Sequence, residues 1–231
     1  MRWTAGSTER TGAVVRQPER AEKISRFSGA ERLVHRATGW LMLLCLVSAA
    51  CLYLGPVAQL VGRRHLVITV HEWSGILLPA PFLLGLFSPA FRADLHRINR
   101  WAAYDGRWLR AVRGRLTDPG SRPAGKFNAG QKVYAGWIAG AVLVMMFTGL
   151  LMWFMGLLPF ISRTSAIFVH DVLAWAITVV LIGHMRKAYG DPVARAGMRT
   201  GYVDRGWAMT HHSKWLTEEG GERSRAGSDV G

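Results

Sequence analysis

The sequence predicts an all-α integral membrane protein, a four-helix bundle with both termini on the cytoplasmic side. Three observations predict it. Half of the 231 residues are hydrophobic, yet the 29 Lys and Arg and 15 Asp and Glu are nearly absent from four apolar stretches. Each stretch exceeds the roughly 20 residues that a helix needs to cross about 30 Å of hydrocarbon. The basic residues also crowd one set of segments. The N-terminal arm, the middle segment and the C-terminal tail hold 26 Lys and Arg, against 3 in the two remaining loops. By the positive-inside rule those three segments are cytoplasmic and the membrane is the inner (plasma) membrane. The net charge of +14 is thus a consequence of topology, and nucleic acid is not expected as a partner.

Residues 1–25 read as a disordered tail, because Met1–Gln17 is rich in Gly, Ser, Thr and Arg and has few large apolar side chains. Residues 26–217 form the membrane domain. Its first span, about 37–62, has no charged residue; it lies too far from the start and is too long for a cleaved signal peptide. The second span, about 65–91, carries only Glu72, and Pro79 and Pro81 predict a kink in its second half. The third, about 133–162, is uncharged and carries Gly136 and Gly140 at the spacing that allows close approach of a neighbouring helix. The fourth, about 164–185, carries only Asp171. Residues 218–231 again read as a disordered tail. Cys45 and Cys51 lie inside one span, which excludes a disulfide framework and a Cys-rich metal centre.

Ionisable side chains inside spans are expensive and mark function. Of eight His, four lie within or at the edges of spans: His35, His71, His170 and His184. The last two are decisive. Fourteen positions at about 100° each bring His184 to within roughly 40° of His170, and separate them by about 21 Å along one helix face. Depth assigns their partners, His71 with His170 towards the outer surface and His35 with His184 at the inner surface. A lone His in a span is more often a hydrogen-bonded core residue. Two on one face, each with a depth-matched partner, suit two axially ligated b-type haems. Ala174, Ile177 and Leu181 lie between them on the same face. No third ligand clusters at either level, which disfavours zinc. Arg63, Arg64 or Arg163 are candidates to neutralise the propionates of the outer haem, and Arg32, Arg36, Lys132 or Arg186 those of the inner one. His65 reads as interfacial, and His96, His211 and His212 lie outside the membrane.

Several stretches resemble a known family. Gly125-Lys126-Phe127-Asn128-Ala129-Gly130-Gln131-Lys132 resembles the G-K-[FY]-N-A-G-Q-K segment of the formate dehydrogenase gamma subunit, a membrane cytochrome b. Glu31-Arg32-Leu33-Val34-His35 resembles that family's E-R-x-x-H start, and Trp207 to Trp215 its W-A-x-x-H-H-x-x-W ending. The resemblance runs from about Arg26 to Glu219. It implies two haem b groups, held by His71 and His170 (outer) and by His35 and His184 (inner). It implies a quinone, menaquinone or ubiquinone, bound by Asn128, Gly130 and Gln131 beside His184. It also implies an iron–sulfur (beta) subunit and a molybdopterin or tungstopterin catalytic (alpha) subunit as partners, with substrate oxidation on that other chain. The chain departs from the pattern at Glu72, where Pro is typical, and at Arg36, where an aromatic is common. The alternatives are the cytochrome b subunit of a hydrogenase or other respiratory oxidoreductase, and a haem-free membrane anchor.

Overall fold

A computed structural model describes residues 22–154 and 163–218. The two tails, apart from their innermost residues, and the end of the third apolar stretch lie outside the described residues. Four helices are long and apolar enough to cross a membrane, and together with shorter helices they make the chain all-α apart from one small sheet. In the most apolar part of each span only 11–17% of residues are buried within the chain, so most of the apolar surface faces outward. That is the composition of helices bathed in lipid.

The first span is α1 (Gly29–Tyr53). It begins eight residues before the apolar stretch because Ser28 and Glu31 form a capping box: the Ser28 hydroxyl accepts from the Glu31 N–H, and the Glu31 carboxylate accepts from the Ser28 N–H. It also stops early. The stretch beyond Tyr53 is a separate helix, α2 (Gly55–Val61), started by Pro56 in its first turn. The second span is α3 (Arg64–Leu77) followed by α4 (Ala80–Gly85), with the expected break at Leu78–Pro79. Ser88 caps α5 (Pro89–Asn99), so residues 89–91 leave the span and join an amphipathic helix. α6 (Ala103–Arg113) follows, then α7 (Ala129–Trp153) and α8 (Arg163–Gly190), the third and fourth spans.

The spans pack as two hairpins, α1 with α3 and α4, and α7 with α8, and α3 touches α7. Between them Met42, Leu78, Ala141 and Ile177 form a buried cluster, with Leu173 and Leu181 against it. Gly136 and Gly140 do not bring a helix close, contrary to expectation. A Cβ on either would meet nothing within 4 Å, because both are exposed and border an open apolar groove toward Phe168, Val169 and Val172 of α8.

At the basic end the chain builds a polar cap. α9 (Pro192–Thr200) is closed by Gly201, whose φ of +94° an L side chain rarely adopts. The Gly201 carbonyl accepts from the backbone N–H groups of Arg26 (2.8 Å) and Phe27 (3.1 Å). β1 (Lys23–Ser25) pairs antiparallel with β2 (Tyr202–Asp204), with Ile24 opposite Val203. β1 lies inside the segment read from sequence as tail, and its partner strand is some 180 residues away in sequence. α10 (Arg205–His211) follows β2.

His212 is the keystone of this cap. Its Nδ1 lies 2.6 Å from the Gly125 carbonyl and its Nε2 3.1 Å from Arg26 Nη2. Since Arg26 donates only, Nε2 accepts and Nδ1–H donates, which fixes a neutral ring. The Arg26 guanidinium also donates to the Lys126 carbonyl (2.9 Å) and lies over the Trp207 ring, 4.9 Å from its centre. Burial lowers Arg26 to about 10, so it stays charged. Burial and the Arg26 charge push His212 down to about 3. An unfolded His ionises near 6.5. The stability from this neutral ring is therefore whole above pH 6.5 and drains away as pH falls towards 3, by at most about 1.4 kcal/mol per pH unit. In His212→Gln, the acid decline of Tm in detergent is expected to become shallower across that window. An unchanged decline would contradict the assignment.

Candidate functional site

Four imidazoles line the space between the two hairpins, and they meet in the pairs that depth assigns. His71 on α3 faces His170 on α8, with ring centres 6.3 Å apart and planes at 71°. His35 on α1 faces His184 on α8, also at 6.3 Å, with planes at 48°. A metal–imidazole bond is about 2.0–2.1 Å, and the nitrogen lies roughly 1.1 Å from its ring centre. Two rings sharing one metal ion axially therefore sit about 6.3 Å apart. Both pairs have the spacing of two rings on opposite sides of one haem iron. Ile177 lies seven residues from each of His170 and His184, is 3% exposed and clusters with Met42, Leu78 and Ala141, so the level midway between the pairs is filled by apolar side chains.

The His71–His170 pair is held by two hydroxyls that sequence reasoning missed. Ser48 Oγ lies 2.9 Å from His71 Nδ1, and Thr148 Oγ1 lies 2.9 Å from His170 Nδ1. Each hydroxyl is also within reach of backbone carbonyls one turn back on its own helix: Leu44 (2.7 Å) for Ser48 and Val144 (2.9 Å) for Thr148. The hydroxyl hydrogen goes to the carbonyl, so the oxygen accepts Nδ1–H from the ring. Both rings then carry their proton on Nδ1 and leave the Nε2 lone pair for a metal. This is how ligand imidazoles are usually oriented from behind. The Cys45 carbonyl, 3.1 Å from His71 Nδ1, adds a second acceptor. Ser48 and Thr148 are two of the few buried polar residues in the spans. A buried hydroxyl in a span is the available signal, but its partner lies 22 or 23 residues away on another helix.

The His35–His184 pair is built differently. Neither His35 nor His184 has a hydrogen-bond partner at a ring nitrogen among the described residues. Instead Tyr134 on α7 stacks on His184, with centres 4.9 Å apart and planes at 13°. Tyr134 lies one turn beyond Gly130 and Gln131, so it is the residue through which the polar motif's helix reaches His184. Nothing local in the sequence marks it.

The polar motif is a helix start with free donors. Asn128 Oδ1 accepts from the Gln131 N–H, and Gln131 Oε1 accepts from the Asn128 N–H, both at 2.9 Å. This capping box consumes the two side-chain oxygens, and among the described residues the NH₂ groups of these two half-buried side chains have no hydrogen-bond partner. Gly130 is needed for packing: a Cβ there would fall 2.8 Å from the Trp108 ring.

Lys132 is not available to a propionate. It is buried, 2.7 Å from Asp105 Oδ2, and donates to the Arg100 carbonyl at 2.9 Å. A buried ammonium must be paired, and Asp105, fully buried itself, is that pair. Arg32 and Arg36 both donate to the Arg199 carbonyl, at 2.8 and 2.9 Å. No group of three or more His, Cys, Asp or Glu able to hold a metal ion occurs among the described residues.

Residues 26–189 match the family model described as prokaryotic cytochrome b561. The chain is 26% identical over 211 residues to the cytochrome b556(fdo) subunit of a formate dehydrogenase from Escherichia coli (strain K12), covering 87% of this chain and 95% of that one. It is 24% identical to the formate dehydrogenase cytochrome b556 subunit of Haemophilus influenzae, over 80% of each chain. A shorter match, 30% identical over 97 residues and 41% of this chain, is to the nitrate-inducible cytochrome b556(Fdn) subunit of Escherichia coli (strain K12).

In Thr148→Val the His170 ring loses the acceptor that orients it while volume is nearly kept. The affinity of the His71–His170 position for haem, measured by titrating haem into protein prepared without it, is expected to fall about 10–100-fold. An unchanged affinity would mean that Thr148 does not orient the ring.

Proposed function

The chain belongs to the prokaryotic cytochrome b561 family, and on that premise we propose that it is the di-haem cytochrome b subunit of a formate dehydrogenase-type complex, anchoring its partners to the inner membrane and passing their electrons to a quinone. One observation carries the reading: two His pairs, stacked about 21 Å apart along one helix, each with imidazole centres 6.3 Å apart. Haem iron at each position supplies a one-electron redox change. The protein's part is to hold each iron from both faces, to fix the outer rings through Ser48 and Thr148, and to keep water from the apolar space around Ile177.

Direction follows from the charge asymmetry, which favours cytoplasmic termini. Electrons then enter at the His71–His170 level from an iron–sulfur subunit, which receives them from a molybdopterin or tungstopterin subunit that oxidises the substrate. They leave at the His35–His184 level. There the Asn128 and Gln131 amides are uncharged donors suited to quinone carbonyl oxygens, and Gly130 keeps the helix start close to Trp108. The partner assignment rests on the 125–132 motif and on the names of the relatives.

His170→Ala is expected to remove one haem and His184→Ala the other, read by haem content and by the two components of a redox titration. Retention of both haems in either variant would defeat the pairing. For the quinone site the sharper change is Asn128→Asp, which keeps the capping oxygen and deletes the amide donor. It is expected to leave both haems in place and to lower quinone turnover at least tenfold. Unchanged turnover would remove Asn128 from the site.

A further inference from the structure

Where α1, α5 and the segment before α7 meet, three ionisable side chains are buried together. Glu31, Asp94 and Lys126 have side chains 8%, 8% and 9% exposed. Lys126 Nζ lies 2.5 Å from Asp94 Oδ2 and 3.6 Å from Glu31 Oε1. Both buried carboxyl groups thus lie against one ammonium, and two like charges sharing a buried site favour a proton on one of them. The other charges facing the cluster are Arg97, 3.1 Å from Asp94 Oδ1 and one-third exposed, and Arg26, whose field reaches Asp94 from the end of β1. Burial and Glu31 outweigh these cations, and Asp94 is pushed up to about 7.

The cluster's position gives that proton a use. Glu31 is one helical turn, about 6 Å of rise, before His35. Lys126 is two residues before Asn128. A single buried network thus joins the helix that carries an inner ligand to the motif that carries the amide donors. Nothing in the capping of α1 requires Asp94, since Ser28 and Glu31 complete that box alone.

We propose that Glu31, Asp94 and Lys126 form a proton-holding site coupled to electron arrival at the His35–His184 level, and that it supplies the protons that turn a quinone into its quinol. This rests on the haem and quinone reading above. Each electron arriving at the inner position adds a negative charge nearby, which strengthens the hold of the carboxyl pair on a proton. In the transfer itself the O–H bond of Asp94 breaks and an O–H bond forms on a quinone oxygen. The carboxylate left behind is balanced by Lys126 and Arg97, and is reprotonated from water along the exposed edge of Arg97. Two electrons from the haem and two such proton transfers convert one quinone to one quinol.

The test is redox titration of the haem-loaded protein in lipid between pH 5.5 and 8.5, with infrared reduced-minus-oxidised difference spectra. The midpoint potential of the inner haem is expected to fall as pH rises through about 7, with a slope of up to about 59 mV per pH unit, and that of the outer haem to change less. Reduction is expected to change a protonated-carboxyl band. Asp94→Asn should abolish both the slope and the band change while both haems remain, and Asp94→Glu should restore them. An inner haem whose slope survives Asp94→Asn overturns the proposal. So does the absence of a carboxyl band change in the unaltered protein, a readout that does not depend on the variant folding. Absence of an inner haem would instead overturn the reading on which the proposal rests.

Discussion

Helices in a bilayer gain nothing from expelling water, because lipid chains are as apolar as Leu. Spans that bury as little of themselves as these do depend on specific interior contacts for their arrangement. Here those contacts are polar and few. His71 is tied to α1 through Ser48, and His170 to α7 through Thr148. Each hydrogen bond crosses from one helix of a hairpin to the other, so the bonds that orient the imidazoles also set the register of α1 on α3 and of α7 on α8. The facing pairs then link the two hairpins. Orientation of the imidazole pairs and packing of the bundle are one constraint.

The basic end is organised by a different economy of charge. There the chain buries Arg26, Glu31, Asp94, Asp105, Lys132 and His212, each within reach of a complementary partner. The result ties residues distant in sequence, β1 to β2 and Gly125 to His212, into a cap over the start of α7. That cap holds the 125–132 segment from three sides, through the Ala124, Gly125 and Lys126 carbonyls. The motif's amides are therefore presented from a fixed backbone rather than from a free loop.

Much of this was legible in sequence, for physical reasons that also explain what was not. Hydropathy found all four spans, because length and apolarity are local properties. It does not mark the helix ends, because a capping box at Ser28 and a new start at Pro56 redirect a helix without changing its hydropathy. The His pairs followed from depth and helical period alone. The 125–132 segment stood out by its resemblance, but its capping box and the stacking of Tyr134 on His184 did not. Ser48, Thr148 and the Asp105–Lys132 pair also stayed hidden, since each is defined by a partner on another element. Gly136 and Gly140 show the reverse: a motif that often packs helices here leaves both glycines bordering an open groove with no close neighbour.

The central claim is that two imidazole pairs hold two haems in one chain. It is tested most directly by purifying the protein in detergent after expression with haem available, recording its reduced-minus-oxidised spectrum, and counting haem per polypeptide as the pyridine complex. Two b-type haems per chain are predicted. One haem would mean that one of the pairs, despite its 6.3 Å spacing, is not a ligand pair, and none would contradict the account outright.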